Sequence, residues 1–141
     1  MTAPAVLDRD DWCVVGAGLV TFALAWAPWY ETRDGSLALT GWGLGFAAMV
    51  AVVAAVYAAG RVVLLRGRPP KPDVPVTPQA ETFFASAVAL ALIAYRIVDA
   101  PTIGGAPAVR TSAILGAGLA ILVQFVCAAR KLGRTGVRAS S

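Results

Sequence analysis

Arg96 is the residue whose type and position first suggest chemistry in this chain. It lies three residues before Asp99, at the end of an apolar stretch whose uncharged part runs from Thr82 to Tyr95. A charge beside such a stretch is costly, and a planar guanidinium suits an anionic lipid headgroup or a partner's carboxylate. The structural alternative is that Arg96 reaches toward water and pairs with Asp99 one turn away.

Trp29 is the second candidate for an interaction. It begins the segment from Trp29 to Asp34, which is aromatic and mixed in charge. Such a segment suits a recognition surface. The alternative is a hairpin tip anchored at a membrane surface, where tryptophan and tyrosine are enriched.

Other reactive side chains are scarce. The chain has no histidine and only two cysteines, Cys13 and Cys127. Two thiols do not make a zinc site, so we interpret both as small apolar residues, with a single disulfide as the alternative. No carboxylate lies deep within an apolar stretch, which argues against a proton-coupled exporter. We expect no catalytic residue, no metal and no cofactor, and an enzyme is the less favoured class.

Four apolar stretches must position these side chains. Of the 141 residues, 58% are hydrophobic and 14% are charged, whereas a soluble domain has roughly 25% charged residues. A chain this small cannot hide so much apolar surface in a water-soluble core. We therefore predict a single domain, an all-α integral membrane four-helix bundle. The predicted helices cover residues 12–29, 40–65, 80–98 and 111–130.

Two polar segments and the basic residues predict how the bundle is oriented. Residues 66–79 are rich in proline and predict an extended linker, and residues 131–141 predict a frayed polar tail. Basic residues collect on the cytoplasmic side of a membrane protein. Those on the linker side are Arg9, Arg61, Arg66, Arg68, Lys71, Arg130, Lys131, Arg134 and Arg138, against Arg33, Arg96 and Arg110 on the other. We predict a multi-pass protein of the bacterial plasma membrane with both termini cytoplasmic (N-in, C-in).

Small residues along the second predicted helix indicate a packing face. Such residues let another helix backbone approach closely, which matters in lipid because no hydrophobic force drives helices together. Two purposes fit this face, internal packing of the bundle or contact with another subunit. Its residues are Gly41, Gly43, Gly45, Ala47, Ala51, Ala55 and Ala59.

Three short motifs carry a resemblance. They are Pro28-Trp29-Tyr30, Gly41-Trp42 and the segment from Tyr95-Arg96 to Asp99-Ala100-Pro101. Together they resemble a loose group of uncharacterised small four-helix membrane proteins of actinobacteria, whose third helix ends in a similar Tyr-Arg phrase before a proline. Here Ala100 stands before that proline. The resemblance implies a fold and a bacterial source, and it implies no activity.

These observations favour a non-catalytic accessory or scaffold subunit of a larger cell-envelope membrane complex. The alternative is an oligomeric transporter or channel that handles a lipid or a small molecule. The expected partners are the lipid bilayer, other membrane subunits or a second copy, and an anionic lipid. No nucleic-acid-binding motif accompanies the basic residues, so we expect no nucleic-acid partner.

Overall fold

Helices dominate the computed structural model, which describes residues 7–64 and 77–140. Each helix packs against two of the others, α1 on α2 and α4, and α3 on the same two, so the four close a ring in which neighbours run antiparallel. The prediction of a mainly helical, four-helix chain is confirmed. The helices are α1 (Arg9–Leu24), α2 (Phe46–Leu64), α3 (Pro78–Val98) and α4 (Ser112–Ser140).

Three of the described helices are long and apolar enough to cross a membrane. The qualifying segments are Phe46–Leu64, Gln79–Val98 and Ser112–Arg134. Helix α1 has only 16 residues and carries acidic residues in its first turn, whereas a membrane span needs about 17–25 residues. The prediction of four spanning helices is therefore supported for three of them.

Three boundaries of the first two helices differ from the prediction because the neighbouring residues adopt other structure. Asp8 and Asp11 form a reciprocal capping box that begins α1 at Arg9. The same helix ends at Leu24 rather than near 29, because Pro28 and its successors pair as a strand. Helix α2 begins at Phe46 rather than near 40, because Gly45 has φ +118°, a value outside helical geometry.

Of the other predicted boundaries, one agrees with the structure and one does not. Helix α3 begins at Pro78, with Thr77 as its N-cap, close to the predicted start at 80. Most of the predicted linker, residues 66–76, lies outside the described part of the chain, as does residue 65 at the predicted end of the second helix. The fourth helix does not end near 130, since α4 continues to Ser140 through the segment predicted as a tail.

Both connections at one end of the bundle form short strands, which the sequence analysis did not predict. Strand β1 lies between β2 and β5, and β3 pairs with β4, all antiparallel. We call these strands the cap, and the end of the bundle where Asp8 lies the basal end. The strands are β1 (Pro28–Glu31), β2 (Ala38–Thr40), β3 (Thr102–Ile103), β4 (Ala106–Pro107) and β5 (Val109–Arg110).

The buried apolar core has one part under the cap and one near the basal end. Trp29, Tyr30 and Ile93 belong to the part under the cap. Cys127 is buried in the basal part, and the half-buried Cys13 packs against that part. Both thiols are free, so the cysteines contribute to the fold as small apolar side chains.

Candidate functional site

The cap is joined to the helix ends by hydrogen bonds from side chains of both connections. Helix α3 ends with backbone carbonyls that have no partner within the helix. The Tyr30 hydroxyl donates to the carbonyl of Arg96, and Arg110 donates to the carbonyls of Ile97 and Val98. The loop strands therefore complete the end of α3.

Trp29 lies inside the cap and not on its surface. Its side chain is fully buried, and its indole Nε1 donates to the carbonyl of Leu24 at 2.7 Å. A Cβ added at Gly41 would lie 2.8 Å from the indole ring, so glycine is needed there for close packing. Trp29 is therefore part of the core, and its role as an interaction residue stays a prediction.

The rest of the Trp29–Asp34 segment forms a hydrogen-bonded turn. Thr32 and Leu37 pair through their backbones at 2.9 Å, and the Asp34 carboxylate accepts from the Thr32 hydroxyl and from Ser36. The hydrogen bonds from Thr32 and Ser36 lower the pKa of Asp34 to about 2. This exposed carboxylate is therefore ionised across the physiological range.

Arg96 occupies a mostly buried position in the last turn of α3. Its side chain is 14% exposed, and Nη1 lies 3.9 Å from the carboxylate of Asp99, which is 60% exposed. Nη2 donates to the carbonyl of Leu44 at 3.3 Å, while Nε has no acceptor among the described residues. The structure thus brings Arg96 and Asp99 together and ties them to the start of α2.

The predicted packing face divides into two groups. Ala51, Ala55 and Ala59 are buried against the other helices, and Ala47 is half-buried. The glycines Gly41, Gly43 and Gly45 precede α2, so they are not part of the helix face. The buried alanines serve internal packing, which was the first of the two purposes considered for this face.

We call Ala51, Ala55 and Ala59 the alanine ladder. Gly18 of α1 packs against it. A Cβ added at Gly18 would lie 2.6 Å from the Cβ of Ala59 and 3.0 Å from the carbonyl oxygen of Ala55. A Cβ contact of 2.6 Å is shorter than side chains in proteins make, so a neighbouring atom would have to shift. Helices α1 and α2 therefore approach as closely as a glycine allows.

Gln124 ties three helices together at the same level. The amide Nε2 donates to the carbonyls of Val14 in α1 at 3.0 Å and Ala55 in α2 at 2.9 Å. The side chain is fully buried, and its Oε1 has no donor among the described residues. Thr21 and Ser86 are also buried, and each donates to a carbonyl four residues earlier in its own helix.

Acidic residues of α1 and basic residues of α4 meet at the basal end. Lys131 Nζ lies 2.7 Å from Asp8 and 2.9 Å from Asp11, and Arg134 contacts the buried Asp10. Partial burial alone raises the pKa of Asp8, but the hydrogen bonds from Lys131 and Asp11 and the nearby positive charges lower it overall. These ion pairs give a reason for α4 to continue past residue 130.

An open groove lies between α2 and α3 on the helical surface. Its volume is about 610 Å³, and apolar side chains line it. At its basal end Glu81 accepts from the hydroxyl of Tyr57 and pairs with Arg61. Sequence reasoning missed this groove, because it depends on which helices become neighbours.

Within the described ranges, no group of three or more cysteine, aspartate or glutamate side chains is arranged to hold a metal ion. Comparison with known proteins finds no match, whether to a family model, a curated protein or a solved structure. The geometry leaves two candidate sites. They are the Arg96–Asp99 pair at the cap and the groove between α2 and α3.

Proposed function

We propose that this chain is a multi-pass protein of the bacterial plasma membrane that acts as a non-catalytic accessory or scaffold subunit of a larger cell-envelope complex. The observation that carries the proposal is how the buried polar side chains are used. Gln124, Thr21 and Ser86 all donate to carbonyls of the chain's own backbone. The Gln124 amide joins three helices and the two hydroxyls bond within their own helices, so these polar groups suit a rigid scaffold better than a transport path.

The exposed apolar surface supports placement in the membrane. Leu19 of α1, Phe84 of α3 and Leu119 of α4 are 63%, 62% and 63% exposed. Large exposed apolar patches mark contact with lipid or with another protein. The resemblance to small actinobacterial membrane proteins is part of the same proposal.

Orientation is proposed with both termini and the linker in the cytoplasm, from the placement of lysine and arginine. Ser36 in the cap turn and Gly133 near the basal end are exposed, so each accepts a cysteine in a chain whose own cysteines are replaced. A membrane-impermeant thiol reagent should label Ser36→Cys in intact cells and miss Gly133→Cys. The reverse pattern would invert the orientation.

Photo-crosslinking in the native membrane tests the accessory role. A photoreactive residue replaces Leu19, Phe84 or Leu119, one on each of three helices. The proposal expects a stoichiometric crosslink to a protein of another sequence from one of these positions and not from all. Crosslinks only to lipid or to a second copy at every position would overturn the accessory role.

The second candidate function is a transporter or channel that handles a lipid or a small molecule. The groove between α2 and α3 favours it, because its apolar lining and open side suit an acyl chain. In reconstituted vesicles, flux of a lipid or a small molecule that is lost when groove residues are substituted would support this candidate.

A further inference from the structure

The groove between α2 and α3 is apolar and open along its length. Its walls are regular helix faces, with Met49, Val53 and Tyr57 spaced four residues apart on α2 and Phe84 and Val88 on α3. Val53 is 55% exposed and Val88 is 46% exposed. An apolar surface of this kind is stable only when something apolar covers it.

Polar side chains close one end of this groove. Arg61 Nε lies 2.7 Å from Glu81 Oε2, and the Tyr57 hydroxyl lies 3.4 Å from the same oxygen. The N–H at Nε is not aligned with an acceptor among the described residues, so charge rather than a hydrogen bond holds the pair. The side chains of Arg61 and Glu81 are 30% and 28% exposed. An ion pair between two partly exposed side chains therefore lies at this end of the groove.

The sizes of the lining side chains favour a thin, flexible occupant over a second helix. Helices associate in lipid mainly across small residues that let their backbones approach. In α2 those residues, Ala51, Ala55 and Ala59, are buried in the bundle. The groove is lined by two small residues, Ala54 and Ala85, and otherwise by larger side chains such as Met49 and Phe84.

The groove is about as long as one acyl chain. From Phe46 to Tyr57 helix α2 rises about 16 Å, at 1.5 Å per residue. Half of the hydrocarbon core of a bilayer is about 15 Å. An acyl chain whose headgroup lies near Arg61 would extend along the groove toward Phe46.

We propose that the groove binds one zwitterionic, amine-bearing phospholipid. An acyl chain lies along the groove, the lipid phosphate accepts from Arg61, and the lipid ammonium faces Glu81. A headgroup with one negative and one positive charge complements both members of this pair, whereas an anionic headgroup has no positive group to face the Glu81 carboxylate. The inference rests on the proposed membrane placement and does not depend on the accessory role.

Native mass spectrometry of the reconstituted full chain tests the proposal. The vesicles contain phosphatidylethanolamine and phosphatidylglycerol in equal amounts, and the protein is then released in mild detergent. We expect one retained phosphatidylethanolamine per chain, preferred about tenfold, which is the ratio that roughly one charge-assisted contact supplies. Val53→Trp fills the groove and should reduce retention about tenfold, as the loss of a similar free energy does.

Two further variants separate the acyl contact from the headgroup contact. Val123→Trp makes the same change at an exposed position of α4 outside the groove and should retain lipid like the wild type. The double variant Arg61→Gln, Glu81→Gln should keep a lipid but lose the preference between headgroups. Thermal unfolding of every variant checks that the bundle is intact.

Three results would overturn the lipid site. They are equal retention by Val53→Trp and the wild type, a preference for phosphatidylglycerol, and a second copy of the chain retained in place of lipid. Vesicle flotation separates this failure from that of the proposed function. A chain that does not float with vesicles overturns membrane placement and the lipid site together, whereas one that floats without retaining lipid overturns the lipid site alone.

Discussion

The hydroxyl of Tyr30 donates a hydrogen bond to the backbone carbonyl of Arg96 across 66 residues of sequence. Tyr30 lies in the central strand of the cap, and Arg96 lies in the last turn of α3. One phenol therefore joins the first connection of the bundle to the end of its third helix. The same carbonyl end is completed by Arg110 from the second connection.

Loss of this hydroxyl should destabilise the cap. Tyr30→Phe keeps the ring but leaves a helix-end carbonyl without its donor, which costs about 1–3 kcal/mol when the group is buried. Thermal unfolding in detergent measures the change. Tyr95→Phe is the matched control, since Tyr95 is 53% exposed, and it should leave the midpoint unchanged. Equal midpoints for both variants would show that the Tyr30 bond contributes nothing.

The close approach of α1 to α2 should make Gly18 intolerant of any side chain. Gly18→Ala forces its methyl group against Ala59 and the carbonyl of Ala55, and overpacking of this kind costs about 1–3 kcal/mol. Gly16→Ala lies on the same helix with nothing within 4 Å of the added Cβ. It should stabilise α1 by up to about 1 kcal/mol. Unfolding midpoints that move in the same direction for both variants would contradict the close approach.

The neutral amide of Gln124 should stabilise the bundle through its hydrogen bonds and not only by filling space. Gln124→Leu loses the bonds to Val14 and Ala55 and should cost roughly 0.6–1.7 kcal/mol, as interhelical bonds in membranes do. Gln124→Glu buries a carboxylate facing two carbonyl oxygens and should cost more than Gln124→Leu. Thermal unfolding midpoints measured in detergent rank the two variants. A glutamate variant as stable as the leucine variant would show that water reaches this position.

Acid should loosen the basal end. The folded-state pKa of Asp8 lies below its ordinary value of 3.8, so its contribution is present above that value and is lost as the pH falls through the folded pKa. The unfolding midpoint should be higher at pH 7 than at pH 3, and Asp8→Asn should reduce that difference. The effect is at most about 1 kcal/mol because this ion pair is partly exposed. An Asp8→Asn variant that keeps the wild-type difference would refute the role of Asp8.

Helix content was predictable because apolar composition and charge boundaries are local properties of the chain. The uncharged stretches correctly indicated α2, α3 and α4. The ends were less predictable where loop residues formed strands, since Pro28–Glu31 pairs with Val109–Arg110, a contact between distant segments. A pattern search along one segment carries no information about such a partner.

The candidate sites divide in the same way. The spacing of Arg96 and Asp99 already implied their pairing, because residues three apart lie on one face of a helix. The burial of Trp29, the bridge made by Gln124 and the groove beside Val53 depend on neighbours from other helices. Nothing within the segments that contain these residues specifies those neighbours.

The sequence by itself determined that the chain is mostly helical and apolar, and where its charges interrupt the apolar stretches. Those properties follow from residue type and from the cost of burying charge. Only the tertiary structure decided that the alanine ladder faces inward, that the cap closes over Trp29, and that α2 and α3 leave a groove between them. The physical reason is that close packing depends on the shapes of surfaces brought together from distant parts of the chain.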